Sequence, residues 1–128
     1  MPTQKFLDSI KIAILGLKSA FKEERNFRIQ FIIAVIVLFL STFFGLNAIE
    51  DSILILTILV VLSLELINSQ IEKFLDLIQP DHHPRVKIIK DFSAGAVLLS
   101  AIGSIIIGIL IFMPHINIAI SQFTQFTK

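Results

Sequence analysis

Three long apolar segments, at about residues 29–49, 52–72 and 92–113, constrain the fold of this chain more than any other feature. The first and third contain no charged side chain, and Glu65 is the only charge in the interior of the second. A helix that crosses a membrane needs about 20 consecutive apolar residues, and each segment has that length. The sequence therefore predicts three spanning helices, the third ending before Pro114, and excludes an ordinary soluble domain.

Size and composition favour a single all-α membrane domain over residues 1–128. Apolar side chains make up 55% of the 128 residues and charged ones 16%, whereas soluble domains carry about 25% charged residues. Three spans leave no room for a separate soluble catalytic domain. The first apolar run begins too late for a signal peptide and lacks a cleavage pattern, so the spans are expected to be retained. The absence of cysteine excludes disulfides and thiolate metal sites. Separately, we expect no nucleic-acid partner.

Lysine and arginine are distributed unevenly, which predicts the orientation of the spans. Six of the eleven precede the first segment and four lie between the second and third, whereas the turn at Glu50 and Asp51 has none. Cytoplasmic connections carry the excess of these residues in membrane proteins. We therefore expect the N-terminus and the second connection to be cytoplasmic, and the first turn and the C-terminus to be outside.

Residues 5–24 have the periodicity of an amphipathic helix rather than of a span. Apolar side chains recur every three or four residues while lysines occupy another face; the apolar positions are Phe6, Ile10, Ala13, Ile14, Leu17 and Phe21. A helix of this kind lies flat on the membrane surface. The alternative is a cytosolic helix whose apolar stripe packs against protein.

The third segment has a small residue at every fourth position: Ala96, Ser100, Ser104 and Gly108. Small side chains let helix backbones approach closely in lipid. The partner helix can belong to the same chain or to a second copy, and the spacing leaves both open.

Glu65 is the most informative single residue, because a carboxylate inside a span is costly and is a functional candidate by default. In a helix, Glu65, Asn68 and Glu72 share one face. Glu72 lies nearer the cytoplasm than Glu65 by about 10 Å at the helical rise, so one carboxylate reaches toward lipid and the other toward water. The structural alternative is that Glu65 only hydrogen-bonds another helix or pairs with a lysine.

Two further charged clusters are predicted at the same cytoplasmic edge, from Glu23 to Arg28 and at Lys90 and Asp91. Each alone is typical of charges that anchor the end of a span. Together with Glu72 they supply several carboxylates, and such oxygens suit Mg²⁺, which binds through one or two carboxylates and nucleotide phosphates. The chain contains no Walker-type phosphate loop.

The connection at residues 80–84 contains adjacent histidines, His82 and His83, directly after Asp81. A structural zinc site needs four ligands, and no third ligand stands at a useful spacing. Contact with a nucleotide is therefore the more economical functional interpretation.

Three motifs resemble the signature of the prokaryotic diacylglycerol kinase family. The family pattern is approximately E-x-x-N-[ST]-x-I-E, then K-D and a small-residue AGAVL run, with E-x-x-F-R ahead of the first span. The matching residues are Glu65-Leu66-Ile67-Asn68-Ser69-Gln70-Ile71-Glu72, Lys90-Asp91-Phe92-Ser93-Ala94-Gly95-Ala96-Val97-Leu98-Leu99 and Glu24-Arg25-Asn26-Phe27-Arg28. The motifs occur in order across nearly the whole chain, and their combination is specific.

The resemblance implies a lipid kinase of the inner (cytoplasmic) membrane, a homotrimeric helical bundle that moves the γ-phosphate of MgATP to diacylglycerol or undecaprenol. Glu65 would be the general base on the lipid hydroxyl, and Glu24 and Glu72 would hold Mg²⁺. The implied ATP contacts are Lys5, Glu24, Glu72, Asp81, His82, His83, Lys90 and Asp91, and the implied lipid contacts are Arg28, Glu65, Asn68 and Ala94.

The chain departs from the family pattern at a few positions. Lys5 stands where some members have arginine, which would weaken bidentate phosphate contact. Gln70 replaces a commoner small residue. The run Ser93-Ala94-Gly95 is closer to the branch that includes undecaprenol kinases than to the branch with Gly-Ser, which favours a polyprenol substrate.

Two other functions are compatible with the residues alone. A small oligomeric transporter or channel would use Glu65 as an intramembrane proton or cation site. A non-catalytic assembly subunit would tolerate alanine at Glu24, Asn68, Glu72 and Asp91 with no loss beyond stability.

Overall fold

Four helices make up the computed structural model, which describes residues 2–81 and 83–126. They are α1 (Pro2–Glu23), α2 (Arg25–Phe44), α3 (Ala48–Ile78) and α4 (Pro84–Phe126), and no strand occurs in the described part of the chain. By length and composition, α2, α3 and α4 can each cross a membrane. The predicted all-α fold with three spanning helices and one preceding helix is confirmed.

A sharp corner separates α1 from α2 at a single residue, Glu24, whose backbone is extended (φ −93°, ψ 109°). Arg28 stabilises this corner because its Nη1 donates to the carbonyl oxygens of Lys22 at 2.6 Å and Phe21 at 3.3 Å. These carbonyls belong to the last turn of α1, where the helix provides no N–H partner for them. The corner therefore holds Glu24 at the end of the helical bundle.

The turn between α2 and α3 depends on two residues. Gly45 ends α2 in the left-handed conformation (φ 65°), which favours glycine. Asn47 begins α3 with a capping box: its Oδ1 accepts from the backbone N–H groups of Ile49 and Glu50, while Glu50 Oε2 accepts from the N–H of Asn47. The predicted segment 29–49 runs across this turn, because Leu46 and Ile49 continue its apolar character.

The expected end of the third helix at Pro114 is wrong, since α4 continues through Pro114 to Phe126. Proline removes one backbone donor and crowds the preceding turn, but membrane helices tolerate this change because neighbouring groups compensate. His115, the next residue, is held to α3 by a contact with Glu50 at 3.1 Å. This tertiary contact lies directly beyond the proline.

Packing within the single chain is sparse and centres on α3, which lies against both α2 and α4. The buried apolar residues are Ala20, Phe27, Ala34, Leu54 and Ile111. Most large apolar side chains of the spanning helices are exposed, as are those of α1, where Phe6 is 65% exposed. The apolar stripe of α1 is thus largely exposed in the described part of this chain, although Phe21 packs edge-on against Phe31 of α2 with ring centroids 5.4 Å apart.

A groove of about 460 Å³ runs between α2, α3 and α4. Its walls are mainly aliphatic, with Gln30 of α2 among its lining residues. At the end of α2 away from Gln30, the rings of Phe44 and Phe112 are in contact, with centroids 6.0 Å apart. The fold therefore places an apolar groove beside the polar face of α3.

Candidate functional site

Glu65 is buried at 3% exposure in the middle of α3. Its Oε2 accepts a hydrogen bond from Gln30 Nε2 on α2 at 3.1 Å. The hydrogen bond to another helix, considered above as a structural alternative, is therefore present. It occupies one carboxylate oxygen only, and Glu65 Oε1 has no hydrogen-bond partner among residues 2–81 and 83–126. Oε1 is thus available as a proton acceptor.

The polar face of α3 changes from buried to open along the helix. Ser69, one turn after Glu65, is 6% exposed, Asn68 is half-buried, and Glu72 is exposed. The helical rise separates Glu65 from Glu72 by about 10 Å. A buried carboxylate and an accessible one therefore lie on one helix at different depths, as the residue spacing predicts.

A charge cluster joins the α1–α2 corner to α3. Lys73 Nζ lies 2.6 Å from Glu24 Oε1 and 3.1 Å from Glu23 Oε2. Both carboxylates therefore lie within hydrogen-bond distance of the Lys73 ammonium, and Glu24 is one of the expected metal ligands.

A second charge cluster lies where α3 ends and α4 begins. Lys90 is paired with Asp76, and Lys87 Nζ lies 3.6 Å from Asp91 Oδ2. Asp76, Lys87 and Lys90 border a cavity of about 550 Å³. Asp81 and His83, both exposed, also line it. His82 lies outside the described residues. The cluster brings most of the expected ATP-contact residues of this region to one surface.

Three of the remaining candidates lie outside both charge clusters. Arg28 donates to the end of α1, Ala94 is exposed on α4, and Lys5 is exposed on α1. Within the described ranges, no three His, Asp or Glu side chains converge as a metal cage would require. Glu24 and Glu72 are oxygen donors of the kind Mg²⁺ uses when nucleotide phosphates complete its ligand set, so these residues fit a metal that arrives with ATP.

Two residues of the site were not predicted from the sequence, Gln30 and Lys73. Gln30 is the only polar side chain in the run from Ile29 to Leu40, which was a usable signal for a residue that pairs with a buried carboxylate. In the sequence, Lys73 contributes only to the lysine and arginine distribution that predicts the orientation of the spans. Its distance of eight residues from Glu65 places it near the same face of α3.

Comparison with known proteins shows what the chain is similar to. The sequence profile of the prokaryotic diacylglycerol kinase family matches residues 11–112. An undecaprenol kinase of Bacillus subtilis is 41% identical over 88% of this chain and 91% of its own length. A diacylglycerol kinase of Synechocystis is 39% identical over 84% of this chain and 62% of its own, and one of Haemophilus influenzae is 36% identical over 83% and 92%.

These matches agree with the motifs and with the membrane fold. None of the three relatives supports the transporter alternative for Glu65. The chain belongs to the prokaryotic diacylglycerol kinase family and is a membrane lipid kinase.

Proposed function

We propose that this protein transfers the γ-phosphate of ATP to the hydroxyl of undecaprenol, with diacylglycerol as a second substrate, at the cytoplasmic face of the inner membrane. The observation that carries the proposal is Glu65, a buried carboxylate in a spanning helix beside an apolar groove, with Oε1 unpaired within the described part of the chain. The run Ser93-Ala94-Gly95 and the 41% identity to an undecaprenol kinase support the polyprenol.

Glu65 acts as the general base in this proposal. The lipid O–H bond breaks and its proton moves to Glu65, while the lipid oxygen forms a bond to the γ-phosphorus. The bond from that phosphorus to the bridging oxygen breaks, and ADP leaves with the electron pair. Phosphoryl transfer depends mainly on positioning and charge neutralisation, so one base and well-placed cations are enough.

Glu24 and Glu72 would hold Mg²⁺ that arrives with ATP, and the bound ion would supply neutralisation of charge on the phosphates. Lys73 lies beside Glu24 and orients its carboxylate. The remaining contacts proposed for ATP are Lys5, Asp81, His82, His83, Lys90 and Asp91, and those for the lipid head are Arg28, Asn68 and Ala94.

The working form is a homotrimer with the N-terminus in the cytoplasm and α1 on the membrane surface. Exposed apolar side chains along all three spanning helices support an assembly with further helix contacts. A Cβ added at Gly108 would meet nothing within 4 Å, so the small-residue row of α4 is not tightly packed at this position in the single chain. The distribution of lysine and arginine supports the orientation.

The proposal is tested by offering purified protein in mixed micelles MgATP with undecaprenol or diacylglycerol in separate reactions. We expect phosphorylation of both lipids, with a higher kcat/KM for undecaprenol. A higher kcat/KM for diacylglycerol would overturn the substrate order, and phosphorylation of neither lipid would overturn the proposed reaction.

A further inference from the structure

Gln30 has an unusual set of partners that the proposed reaction does not explain. It lies near the start of α2, and its Nε2 donates to Glu65 Oε2 at 3.1 Å. Its own Oε1 is buried and accepts no hydrogen bond from residues 2–81 or 83–126. A buried acceptor without a donor is unfavourable because it has lost its hydrogen bonds to water, and a ligand that brings a donor restores such a bond.

The orientation of the Gln30 amide follows from its partner. Turning the amide over would set Gln30 Oε1 against Glu65 Oε2, and two acceptors cannot form a hydrogen bond. Nε2 therefore faces Glu65, and the carbonyl oxygen is the atom left for another molecule. The Gln30 side chain therefore donates one hydrogen bond through Nε2 and has an unpaired acceptor at Oε1.

The surroundings of Gln30 indicate what kind of molecule brings the donor. Gln30 lines the apolar groove of about 460 Å³. The hydroxyls of Thr57 on α3 and Ser104 on α4, which also line the groove, already donate to the carbonyls of Ile53 and Ala101. Among the described residues that line this groove, Gln30 Oε1 is the only buried side-chain polar atom without a partner. An apolar molecule ending in a hydroxyl matches this pattern.

We propose that Gln30 is a positioning residue for the transfer step. Its Nε2 holds Glu65 Oε2 and leaves Glu65 Oε1 to receive the proton, while its carbonyl oxygen accepts the hydroxyl of the incoming lipid alcohol. Gln30 forms no covalent bond and takes no proton. The inference rests on the proposed role of Glu65 and adds the group that fixes which carboxylate oxygen reacts.

The test replaces Gln30 with methionine, which has a similar length but neither donates nor accepts as an amide does. We expect Gln30→Met to lower kcat by about 10- to 100-fold, as a misplaced reacting group does, with the KM for MgATP unchanged. Gln30→His should recover part of the loss, because neutral histidine offers one N–H donor and one acceptor. The matched control is Gln70→Met on α3, whose exposed side chain has no hydrogen bond to Glu65; it should leave kcat unchanged.

Glu65→Gln, measured in parallel, distinguishes the proposed role of Gln30 from the proposed role of Glu65. If Glu65→Gln is inactive while Gln30→Met keeps the wild-type kcat, the inference about Gln30 is overturned and the proposed reaction stands. If Glu65→Gln keeps its activity, the proposed reaction fails and the inference with it. Equal losses in Gln30→Met and Gln30→His, together with a lower thermal midpoint in both, would show a structural role only and would also overturn the inference.

Discussion

At the scale of single residues, the site is defined by how each carboxylate is partnered. Glu65 is buried and has one amide donor, Glu24 is paired with Lys73, and Glu72 is exposed without an ion pair among the described residues. A buried charge needs hydrogen bonds or a counter-charge. Glu65 and Glu24 have such partners inside the protein, whereas Glu72 is accessible to a ligand from the solvent.

The first prediction concerns Mg²⁺. Replacing Glu24 or Glu72 with glutamine removes a charged oxygen ligand, so we expect the Mg²⁺ concentration for half-maximal activity to rise by at least about 10-fold. Activity measured against Mg²⁺ at fixed ATP checks this. Glu23→Gln is the control, because Glu23 also pairs with Lys73 but has no assigned ligand role. Full wild-type activity in the presence of a chelator would contradict the assignment.

At the scale of helices, the end of the bundle away from Glu65 has its own clamp. His115 Nε2 lies 3.1 Å from Glu50 Oε1 and 3.2 Å from Oε2, and joins α4 to the start of α3. The contact therefore joins the part of α4 that follows Pro114 to the first turn of α3.

The second prediction follows from this contact. Glu50→Gln replaces the charged partner of His115 with a neutral amide, and hydrogen bonds to charged groups are the stronger kind, so we expect the variant to have a lower thermal midpoint than wild type. Thermal unfolding of the two proteins in the same micelles measures the difference. Asp8→Asn, at an exposed residue for which the structure describes no ion pair, should leave the thermal midpoint unchanged. Equal midpoints for Glu50→Gln and wild type would refute a stabilising role for the contact.

The helices also show which features a sequence pattern predicts and which it does not. The existence of three spans and the polar face around Glu65 depend on hydropathy and helical spacing, and both can be recognised locally. The continuation of α4 through Pro114 could not be recognised locally, because it involves a tertiary contact between His115 and Glu50, which are 65 positions apart. The pairing of Gln30 with Glu65 also joins different helices, 35 residues apart, although an isolated amide in an apolar run was a clue.

At the scale of the whole molecule, the single chain is an open arrangement with two separate charge clusters. One joins the α1–α2 corner to α3, and the other lies between the end of α3 and the start of α4. Apolar surface is exposed around all three spanning helices. Such an apolar surface can contact lipid or neighbouring copies of the chain. The proposed trimer would supply the neighbouring copies.

The proposed role of Glu65 as the proton acceptor of the lipid hydroxyl can be measured through phosphate transfer by Glu65→Gln in reconstituted bilayers. We expect transfer from MgATP to undecaprenol to fall by about 100- to 10,000-fold, the contribution of a general base, while the oligomeric state matches that of wild type. Glu50→Gln, the same substitution in the first turn of α3, should keep its activity. Transfer by assembled Glu65→Gln at the wild-type rate would show that Glu65 is not the base.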